Sequence, residues 1–336
     1  MDDEDAVDLS QETPADNVFI APSIIERPLL DGCSYTHHSP MPQAVVEEPN
    51  VPCVLGVDEA GRGPVLGPMV YGVLYLPIAQ HELLLTTKHK FMDSKVLKPA
   101  VRSSLMETLC SSDSDLYASC GWATRVMSAR DISAGMMQPS QYNLNAQAMD
   151  ATIDLIKETF ARGVNIQEIY IDTIGPPKTY QTKLERIFPA TKITVAKKAD
   201  ALYPCVSAAS VCAKVTRDAA LEVCFQAYER TRGIGGSEQE TWGTGYPADA
   251  KTATWLKASM DPTFGWGSEC RFSWGTVKNL MEAKGKGIMV DWPESGGDDQ
   301  GMKVTDFYVS QDDEGNEEEG DELATWYGRP TTEHVF

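Results

Sequence analysis

The sequence predicts an α/β protein whose core is a mixed β-sheet flanked by helices. Two short apolar runs, at 53–57 and 69–76, lie on either side of a Gly/Pro-rich loop and predict an antiparallel pair of strands. Strand, helix and strand patterns then succeed one another over 169–195, the order of a βαβ unit with parallel strands. An Ala-rich run without Gly or Pro at 207–230 predicts a long helix that packs closely on the sheet.

The remaining elements follow from local patterns of apolar residues. Residues 122–127 predict a third strand. From Asn145 onward, apolar residues recur every three or four positions, which predicts an amphipathic helix that ends at Gly163. The βαβ unit comprises strands at 169–172 and 192–195 with a helix at 180–188, and two shorter helical patterns follow at 248–259 and 274–283.

Charge is distributed very unevenly along the 336 residues, whose formal net charge is −20. Residues 1–50 contain 11 Asp and Glu but a single Arg, and residues 291–336 contain 14 acids and two basic residues. The middle, 51–290, is left with 24 acidic and 26 basic residues, a net charge of +2. A uniformly acidic chain would argue against nucleic-acid binding, which requires a basic surface. The mildly basic middle removes that objection.

Composition also predicts the organisation of the chain. Residues 1–50 mix acids with Pro and Ser and show no sustained period, so we expect a disordered acidic tail. Residues 51–232 form the main globular domain, and 233–290 begin with a Gly-rich stretch and form a small C-terminal helical lobe. Residues 291–336 are a second acidic tail and a candidate partner-binding segment.

The sequence shows no sign of membrane insertion or secretion. Nowhere do 18 consecutive apolar residues occur, and the first residues lack the basic and apolar regions of a signal peptide. The eight Cys show neither a CxxC pair nor Cys/His zinc spacing. We therefore expect reduced thiols in a nuclear or cytosolic protein.

Carboxylates follow several of the predicted strands. Asp58 and Glu59 come directly after the first strand, and Asp172 comes directly after the apolar run at 169–171. Asp200 comes a few residues after the strand at 192–195. Any one of these acids is compatible with a cap on the next loop or helix. Four together favour Mg²⁺ or Mn²⁺, which prefer oxygen ligands, and two such ions support in-line displacement at phosphorus. Spacing alone does not show that the four converge.

Residues 56–64, with the sequence GVDEAGRGP, resemble the signature of type 2 ribonuclease H, the ribonuclease HII family. The resemblance spans about residues 52–280. Within the family, the C-terminal extension is similar to that of the catalytic subunit of the eukaryotic heterotrimeric enzymes. Further segments agree in order: DSK at 93–95, NLN at 143–145, YIDT at 170–173, KADALYP at 198–204, SAASVCAK at 207–214 and GTGYP at 243–247.

The resemblance implies a ribonuclease H-like sheet in which Asp58, Glu59, Asp172 and Asp200 are the catalytic residues and the ligands of two Mg²⁺ or Mn²⁺ ions. It implies hydrolysis on the 5′ side of a ribonucleotide, in RNA/DNA hybrids and at single ribonucleotides embedded in duplex DNA. The products would carry a 3′-hydroxyl and a 5′-phosphate. Such an enzyme would remove misincorporated ribonucleotides and the RNA of replication primers, in the nucleus and also in the cytosol.

A ribose-sensing role is implied for the loop Gly61, Arg62 and Gly63 and for Tyr246. Glycines let the backbone approach a sugar closely, and the 2′-hydroxyl is the group that distinguishes RNA from DNA. Arg62 is placed to fix the adjoining phosphate. The alternatives are a simple turn between strands for the loop and an ordinary core or surface tyrosine for Tyr246.

Three further residues are substrate-binding candidates. The Asp-Ser-Lys match favours a phosphate contact for Lys95, and Asn143 matches a family position that binds the uncut DNA strand. Lys214 lies one helical turn from Arg217, so the two could present charge together. Asn143 and Lys214 fit the resemblance, whereas ordinary helix-surface roles remain open for Lys214 and Arg217.

An apolar segment at 303–309 interrupts the C-terminal acidic tail. Val304, Phe307 and Tyr308 fit the aromatic end of a sliding-clamp-binding motif, but Gly301 stands where that motif has Gln. The alternating pattern also permits addition as a strand to a partner's sheet, which the resemblance to one component of a heterotrimer favours. A surface strand of the chain itself is the third alternative. The implied partners are two non-catalytic subunits, with a sliding clamp as a further candidate.

Two rival hypotheses remain open on sequence alone. The first is a non-catalytic scaffold subunit of a nucleic-acid-processing complex, in which the acidic tails do the binding. The second is a different two-metal nuclease or transferase on the same sheet. The four acids together with the Gly-Arg-Gly loop argue against both.

Overall fold

A computed structural model describes residues 19–91, 97–138, 140, 142–173, 175–232, 241–283, 287–288, 290–291 and 329–330. Lys95 and the segment at 303–309 lie outside these residues, so the predictions made for them stay predictions. No helix in the described part of the chain combines the length and the apolar character needed to cross a membrane.

The sheet elements and helices alternate through the chain. The strands are β1 (Tyr35–His38), β2 (Cys53–Ala60), β3 (Met69–Pro77), β4 (Gly121–Met127), β5 (Ile166–Asp172), β6 (Lys192–Ala196), β7 (Val290–Asp291) and β8 (Arg329–Pro330). The helices are α1 (Glu26–Leu30), α2 (Gln43–Glu47), α3 (Pro99–Cys110), α4 (Asp115–Ser119), α5 (Ala129–Met136), α6 (Leu144–Ala161), α7 (Pro177–Ile187), α8 (Ala199–Leu202), α9 (Pro204–Arg232), α10 (Ala250–Ser259) and α11 (Gly275–Met281). A 3₁₀ turn (Ile78–Gln80) and a π-helix (His81–Lys88) follow β3.

Six strands form one mixed sheet in the order β1-β4-β3-β2-β5-β6. The pairs β1/β4, β4/β3 and β3/β2 are antiparallel, and β2/β5 and β5/β6 are parallel. The predicted mixed sheet, its antiparallel first pair and its parallel βαβ pair are therefore confirmed. The prediction of a helix from Asn145 to Gly163 is also confirmed, because α6 ends beside Gly163, whose φ is +89°.

Helix α9 covers one face of the sheet at unusually short range. A Cβ added to Gly56 of β2 would lie 2.3 Å from the Cys205 backbone, and one added to Gly72 of β3 would lie 2.6 Å from the Ala209 oxygen. Only glycine permits so close an approach of helix and strand backbones. Small residues on α9, among them Ala208 and Ala213, are fully buried there. The opposite face packs against α6.

Residues 19–50 are ordered, so the predicted disordered tail at 1–50 is wrong for this part. Strand β1 extends the sheet by pairing with β4, with Tyr35 opposite Val126. His38 Nε2 is also 2.8 Å from Glu158 Oε2 on α6. The sequence Tyr-Thr-His-His has no apolar alternation and every one of its side chains is half-buried, so its pairing depends on distant residues. Residues 1–18 lie outside the described part.

The C-terminal segments divide between two compact units. Residues up to 260 and 266–278 belong to the unit that holds the sheet, whereas Asp261–Gly265 and 279 onward form the second unit, where β7 and β8 pair. Helix α10 joins the first unit because Trp255 packs on Trp242 and Tyr228, with ring centroids 5.2 and 5.3 Å away. The predicted helices at 248–259 and 274–283 are confirmed as α10 and α11. The predicted functional division at 232/233 stays a prediction.

Candidate active site

Topology brings the predicted carboxylates to one edge of the sheet. Strands β2 and β5 run parallel, and their last paired residues are Val57 and Ile171. Asp58 and Asp172 are the next residues on each strand, so the register places them side by side. The carboxyl ends of parallel strands are where open α/β sheets bind ligands.

Asp200 reaches the same edge through a short connection from β6. Lys198 adopts a left-handed φ of +57°, which turns the chain out of β6 and into α8. The Ala199 N–H then donates to Asp172 Oδ1 at 3.0 Å, which ties the start of α8 to the end of β5. Asp200 follows directly and is 5% exposed.

Asp58 is held on the α9 side of β2 and is 6% exposed. Burial raises the pKa of its carboxyl well above the usual value, and the charges of Glu59 and Asp172 raise it further. A hydrogen bond with Ser210 of α9 acts in the opposite direction and favours the ionised form. Oδ1 also accepts the Glu59 N–H at 2.8 Å. Hydrogen bonds therefore fix the side chain in place, while burial and the neighbouring acids disfavour its ionised form.

Glu59 points to the other side of β2, because successive residues of a strand alternate. Burial raises its pKa to about 7, Arg62 lowers it, and the charges of Asp172 and Asp200 raise it again. All four predicted acids are thus coupled electrostatically. The structure places the four acids near one edge of the sheet, and their roles as catalytic residues and metal ligands stay predictions.

A divalent cation fits this set by charge and by donor chemistry. Four carboxylates supply the oxygen ligands that Mg²⁺ and Mn²⁺ prefer, and a cation would relieve the repulsion that raises the pKa values of Asp58 and Glu59. Within the described residues, no three His, Cys, Asp or Glu side chains are already drawn into a metal-binding cluster. The fit therefore rests on proximity and charge, and the side chains would have to close around an ion.

The loop at 61–63 lies against Tyr246, and the shared ribose-sensing role of the two stays a prediction. Gly61 has φ +74°, and a Cβ there would lie 2.7 Å from the Pro68 oxygen. A Cβ on Gly63 would lie 3.1 Å from Tyr246 Cε1, so the ring of Tyr246 packs against this glycine. Residues that are 183 positions apart in the sequence therefore form one surface beside the carboxylates.

The segment that carries Tyr246 is fixed by hydrogen bonds. The Val65 N–H donates to the Gly245 oxygen at 2.8 Å, and Asp249 Oδ2 accepts from both N–H and Oγ1 of Thr244 at 2.7 and 2.8 Å. Arg217 of α9 is 6% exposed, donates to the Thr244 oxygen and lies 5.9 Å from the centroid of the Tyr246 ring. Arg217 therefore positions the tyrosine from within the protein.

Arg271 and Trp274 hold the loop at 61–63 by hydrogen bonds to its backbone oxygens. No sequence pattern pointed to either role. The buried Arg271 guanidinium donates to the backbone oxygens of Gly61, Arg62 and Gly67 at 2.6, 2.9 and 3.1 Å. Trp274 Nε1 donates to the Gly63 oxygen at 3.0 Å, and Arg271 lies 4.8 Å from the centroid of the Trp274 ring. Burial, with Arg217 nearby, lowers the pKa of Arg271 to about 9, so it remains charged at neutral pH.

The remaining substrate-binding candidates occupy different positions. Asn143 Oδ1 accepts the Ala146 N–H at 3.0 Å and so caps α6, while its neighbour Asn145 accepts a hydrogen bond from Arg62. Asn145 is thus the residue of the NLN segment that touches the predicted loop. Lys214 lies half-buried on α9.

A cavity of about 750 Å³ opens beside Glu59 on the side of α6 and α7. Glu59, Asp172 and Arg62 line one part of it. Tyr71 and Tyr180 contribute aromatic surface. Glu59 and Asp172 therefore face a space large enough for part of a nucleic-acid strand.

Comparison with known families and proteins agrees with this geometry. The family model described as ribonuclease HII matches residues 55–277. The chain is similar to the A subunit of ribonuclease H2 from Neurospora crassa, with 54% identity over 321 residues, 95% of this chain and 97% of that protein. It is also similar to the A subunit of ribonuclease H2 from Homo sapiens, with 41% identity over 278 residues, 81% of this chain and 86% of that protein.

Two solved structures share the fold. Ribonuclease H2 from Pyrococcus horikoshii OT3 has a TM-score of 0.54 and 26% identity, covering 68% of this chain and 97% of that chain. A second is the PCNA:RNase HII complex from Archaeoglobus fulgidus, with a TM-score of 0.52 and 26% identity, covering 67% of this chain and 95% of that chain.

Proposed function

The chain belongs to the ribonuclease HII family and is a ribonuclease H endonuclease, and from that premise we propose which bond it cuts. The proposed substrates are RNA/DNA hybrids and duplex DNA that contains single ribonucleotides. Cleavage on the 5′ side of the ribonucleotide would leave a 3′-hydroxyl and a 5′-phosphate. The proposed roles are the removal of misincorporated ribonucleotides and of primer RNA.

One observation carries the proposal: the carboxylate edge adjoins a surface built from Gly63 and Tyr246. Hydrolysis needs the acids, and selection of a ribose needs a surface that reaches the 2′-hydroxyl. Gly63 has no Cβ, so the sugar can approach the backbone beside the Tyr246 ring. A scaffold protein would need neither feature.

The protein's own residues would divide the work as follows. Asp58, Glu59, Asp172 and Asp200 would hold two Mg²⁺ or Mn²⁺ ions, and bound ions of this kind lower the pKa of an attacking water and stabilise charge on the leaving oxygen. The hydrogen bond with Ser210 already holds Asp58 at this edge of the sheet.

Recognition would lie in the loop and its supports. Arg62, oriented by Asn145, is placed to hold a phosphate. Tyr246 would stack on the sugar at the junction between ribose and deoxyribose. Arg271 would hold the loop at 61–63 in place, and Arg217 would hold the segment that carries Tyr246.

A duplex with one embedded ribonucleotide tests the proposal. The purified chain, alone and co-expressed with its partners, is incubated with this duplex and Mg²⁺ or Mn²⁺, and the product ends are identified. We expect one cut 5′ to the ribose, and none when that position is a deoxyribose or a 2′-O-methyl ribose. Tight binding without any cut, in every combination of partner and metal, would favour the scaffold.

We also propose that the chain works as one component of a larger nuclear assembly. The support is that its relatives are named as a lettered subunit of ribonuclease H2, and that the Archaeoglobus fulgidus ribonuclease HII was solved with PCNA. The segment at 303–309 is the proposed contact, by strand addition to a partner or by docking on a clamp. Co-purification of tagged full-length chain and a variant with Phe307 and Tyr308 changed to Ala tests this contact.

A further inference from the structure

The cavity beside Glu59 has basic side chains along one wall that the assigned site does not use. Helix α7 contributes Lys178, Lys183 and Arg186 to the lining, and the same cavity is lined by Glu59 and Asp172. All three basic residues are exposed. We call these three the α7 wall. It adds positive charge directly beside the predicted catalytic acids.

Some exposed cations of the described chain are paired with a carboxylate, whereas the α7 wall is not. Lys88 pairs with Asp115 at 2.6 Å, and Lys192 pairs with Glu168 at 3.2 Å. Within the part of the chain that the structure describes, none of the three α7 cations forms an ion pair. Unpaired cations that share a cavity leave their charge available to an anionic ligand.

The wall has the length of a short stretch of nucleic-acid backbone. Lys178 and Arg186 are eight residues apart, which corresponds to about 12 Å of helix. One strand of a duplex carries a phosphate roughly every 3.4 Å along its axis, so about three or four phosphates span that distance. The only acid of α7, Glu185, bonds to Gln181 and is not part of the lining.

We propose that the α7 wall binds the phosphates of the cleaved strand next to the scissile phosphate. The inference rests on the proposed function, because that function places the scissile phosphate at Glu59 and Asp172. The strand that lies on these acids continues into the cavity they share with α7. The wall supplies the local positive charge that the net charge of +2 over 51–290 does not.

Salt dependence separates this role from a structural one. The triple variant K178A/K183A/R186A is compared with K88A/K157A/K192A, which removes three charges from the opposite end of the sheet. We expect the α7 variant to raise KM about 10-fold at near-physiological salt with kcat nearly unchanged. The slope of log Kd against log salt should fall in magnitude by about 2 to 3. The control variant should behave as the wild type.

Replacing charged phosphates with neutral groups tests which strand of the duplex the α7 wall binds. Methylphosphonates placed within four positions of the ribonucleotide in the cleaved strand should raise KM of the wild type and have little effect on the α7 variant. The same change in the complementary strand should affect both proteins equally. The reverse pattern would overturn the assignment to the cleaved strand.

The two proposals fail in different ways. If the wild type cleaves and the α7 variant keeps the wild-type KM and salt slope, the α7 wall does not bind substrate. If the wild type binds the duplex but never cleaves it, the proposed function fails. The salt slope of Kd, measured by fluorescence anisotropy, still decides the role of α7 in that case, and thermal unfolding confirms that each variant is folded.

Discussion

The two faces of the central sheet are packed in opposite ways. On one face, α9 lies so close that a Cβ on Gly56 would be 2.3 Å from the Cys205 backbone. On the other face, α6 and α7 leave a cavity of about 750 Å³ beside Glu59. Asp58 belongs to the close-packed face, and Glu59 to the open one. One strand therefore serves both purposes, because one of its faces holds a carboxylate rigidly and the other admits a ligand.

Removal of an acid from the edge where β2 and β5 end should abolish most of the activity. We expect Asp58→Asn and Asp172→Asn to lower the cleavage rate by about 10³-fold or more, because each would remove a proposed metal ligand. Binding of the duplex should persist, because the Tyr246 surface is untouched. Rates of single-turnover cleavage and anisotropy measure the two properties. Full activity in either variant would sink the two-metal assignment.

A single methyl group should distinguish the two faces. Gly56→Ala is expected to lower the free energy of unfolding by about 3 kcal/mol or more, because α9 must move away from β2. Gly175→Ala adds the same methyl group on the open face, where the nearest atom is Thr173 Oγ1 at 4.0 Å. Its effect should stay within about 0.5 kcal/mol. Urea denaturation compares the two, and equal losses would contradict the contrast.

Metal removal should make stability depend on pH. The pKa values of Asp58 and Glu59 are raised in the folded state, so between about pH 4.5 and 7 the folded protein binds more protons than the unfolded chain. Stability in EDTA should therefore fall as pH rises through this window, by about 3 kcal/mol from Glu59 alone. Adding Mg²⁺ or Mn²⁺ should increase the stability more at pH 7.5 than at pH 5.5.

Thermal unfolding at both pH values, with EDTA and with metal, measures this effect. Glu59→Gln is the matched variant, and it should flatten the pH dependence in EDTA. A Tm in EDTA that rises between pH 5 and 7 in the wild type, but not in Glu59→Gln, would contradict the expected direction.

The smallest effect is expected when the support of the loop at 61–63, just beyond the end of β2, is weakened. Arg271→Lys keeps the buried charge, but its donors all lie on one nitrogen and cannot replace the planar fork whose three nitrogens reach three separate backbone oxygens. We expect about a 10-fold loss in the ratio of kcat/KM between ribonucleotide and deoxyribonucleotide duplexes, close to 1.4 kcal/mol. The pH profile of cleavage should be unchanged. Loss of stability with intact discrimination would show that Arg271 is only structural.

The sequence predicted those parts of the fold that have a local pattern. Strands β2, β3, β5 and β6 contain apolar runs, and α9 contains a long run without Gly or Pro at 207–230. Strand β1 has no such pattern, and its pairing with β4 and its contact with Glu158 of α6 hold it in the sheet. A truncation at residue 50 would therefore remove strand β1.

The sequence predicted only those residues of the site whose type and position along the chain already indicate that they belong to it. The four acids follow strands, and parallel topology brings them together. Asn145 and Asn143 are two positions apart, and nothing in the segment shows that Asn145 would meet Arg62. Arg271 acts on carbonyls that are 204 to 210 residues away, which no local pattern reveals.

Because Arg271 lies far from the loop at 61–63 in the sequence, the two are synthesised at different times. All four acids are translated by residue 200, but the loop at 61–63 gains its buried guanidinium only when Arg271 has left the ribosome. At typical elongation rates the 210 residues between Gly61 and Arg271 take about 10 to 40 seconds to synthesise. A nascent or prematurely terminated chain therefore contains the four acids before the loop that we propose as the ribose sensor has gained its buried support.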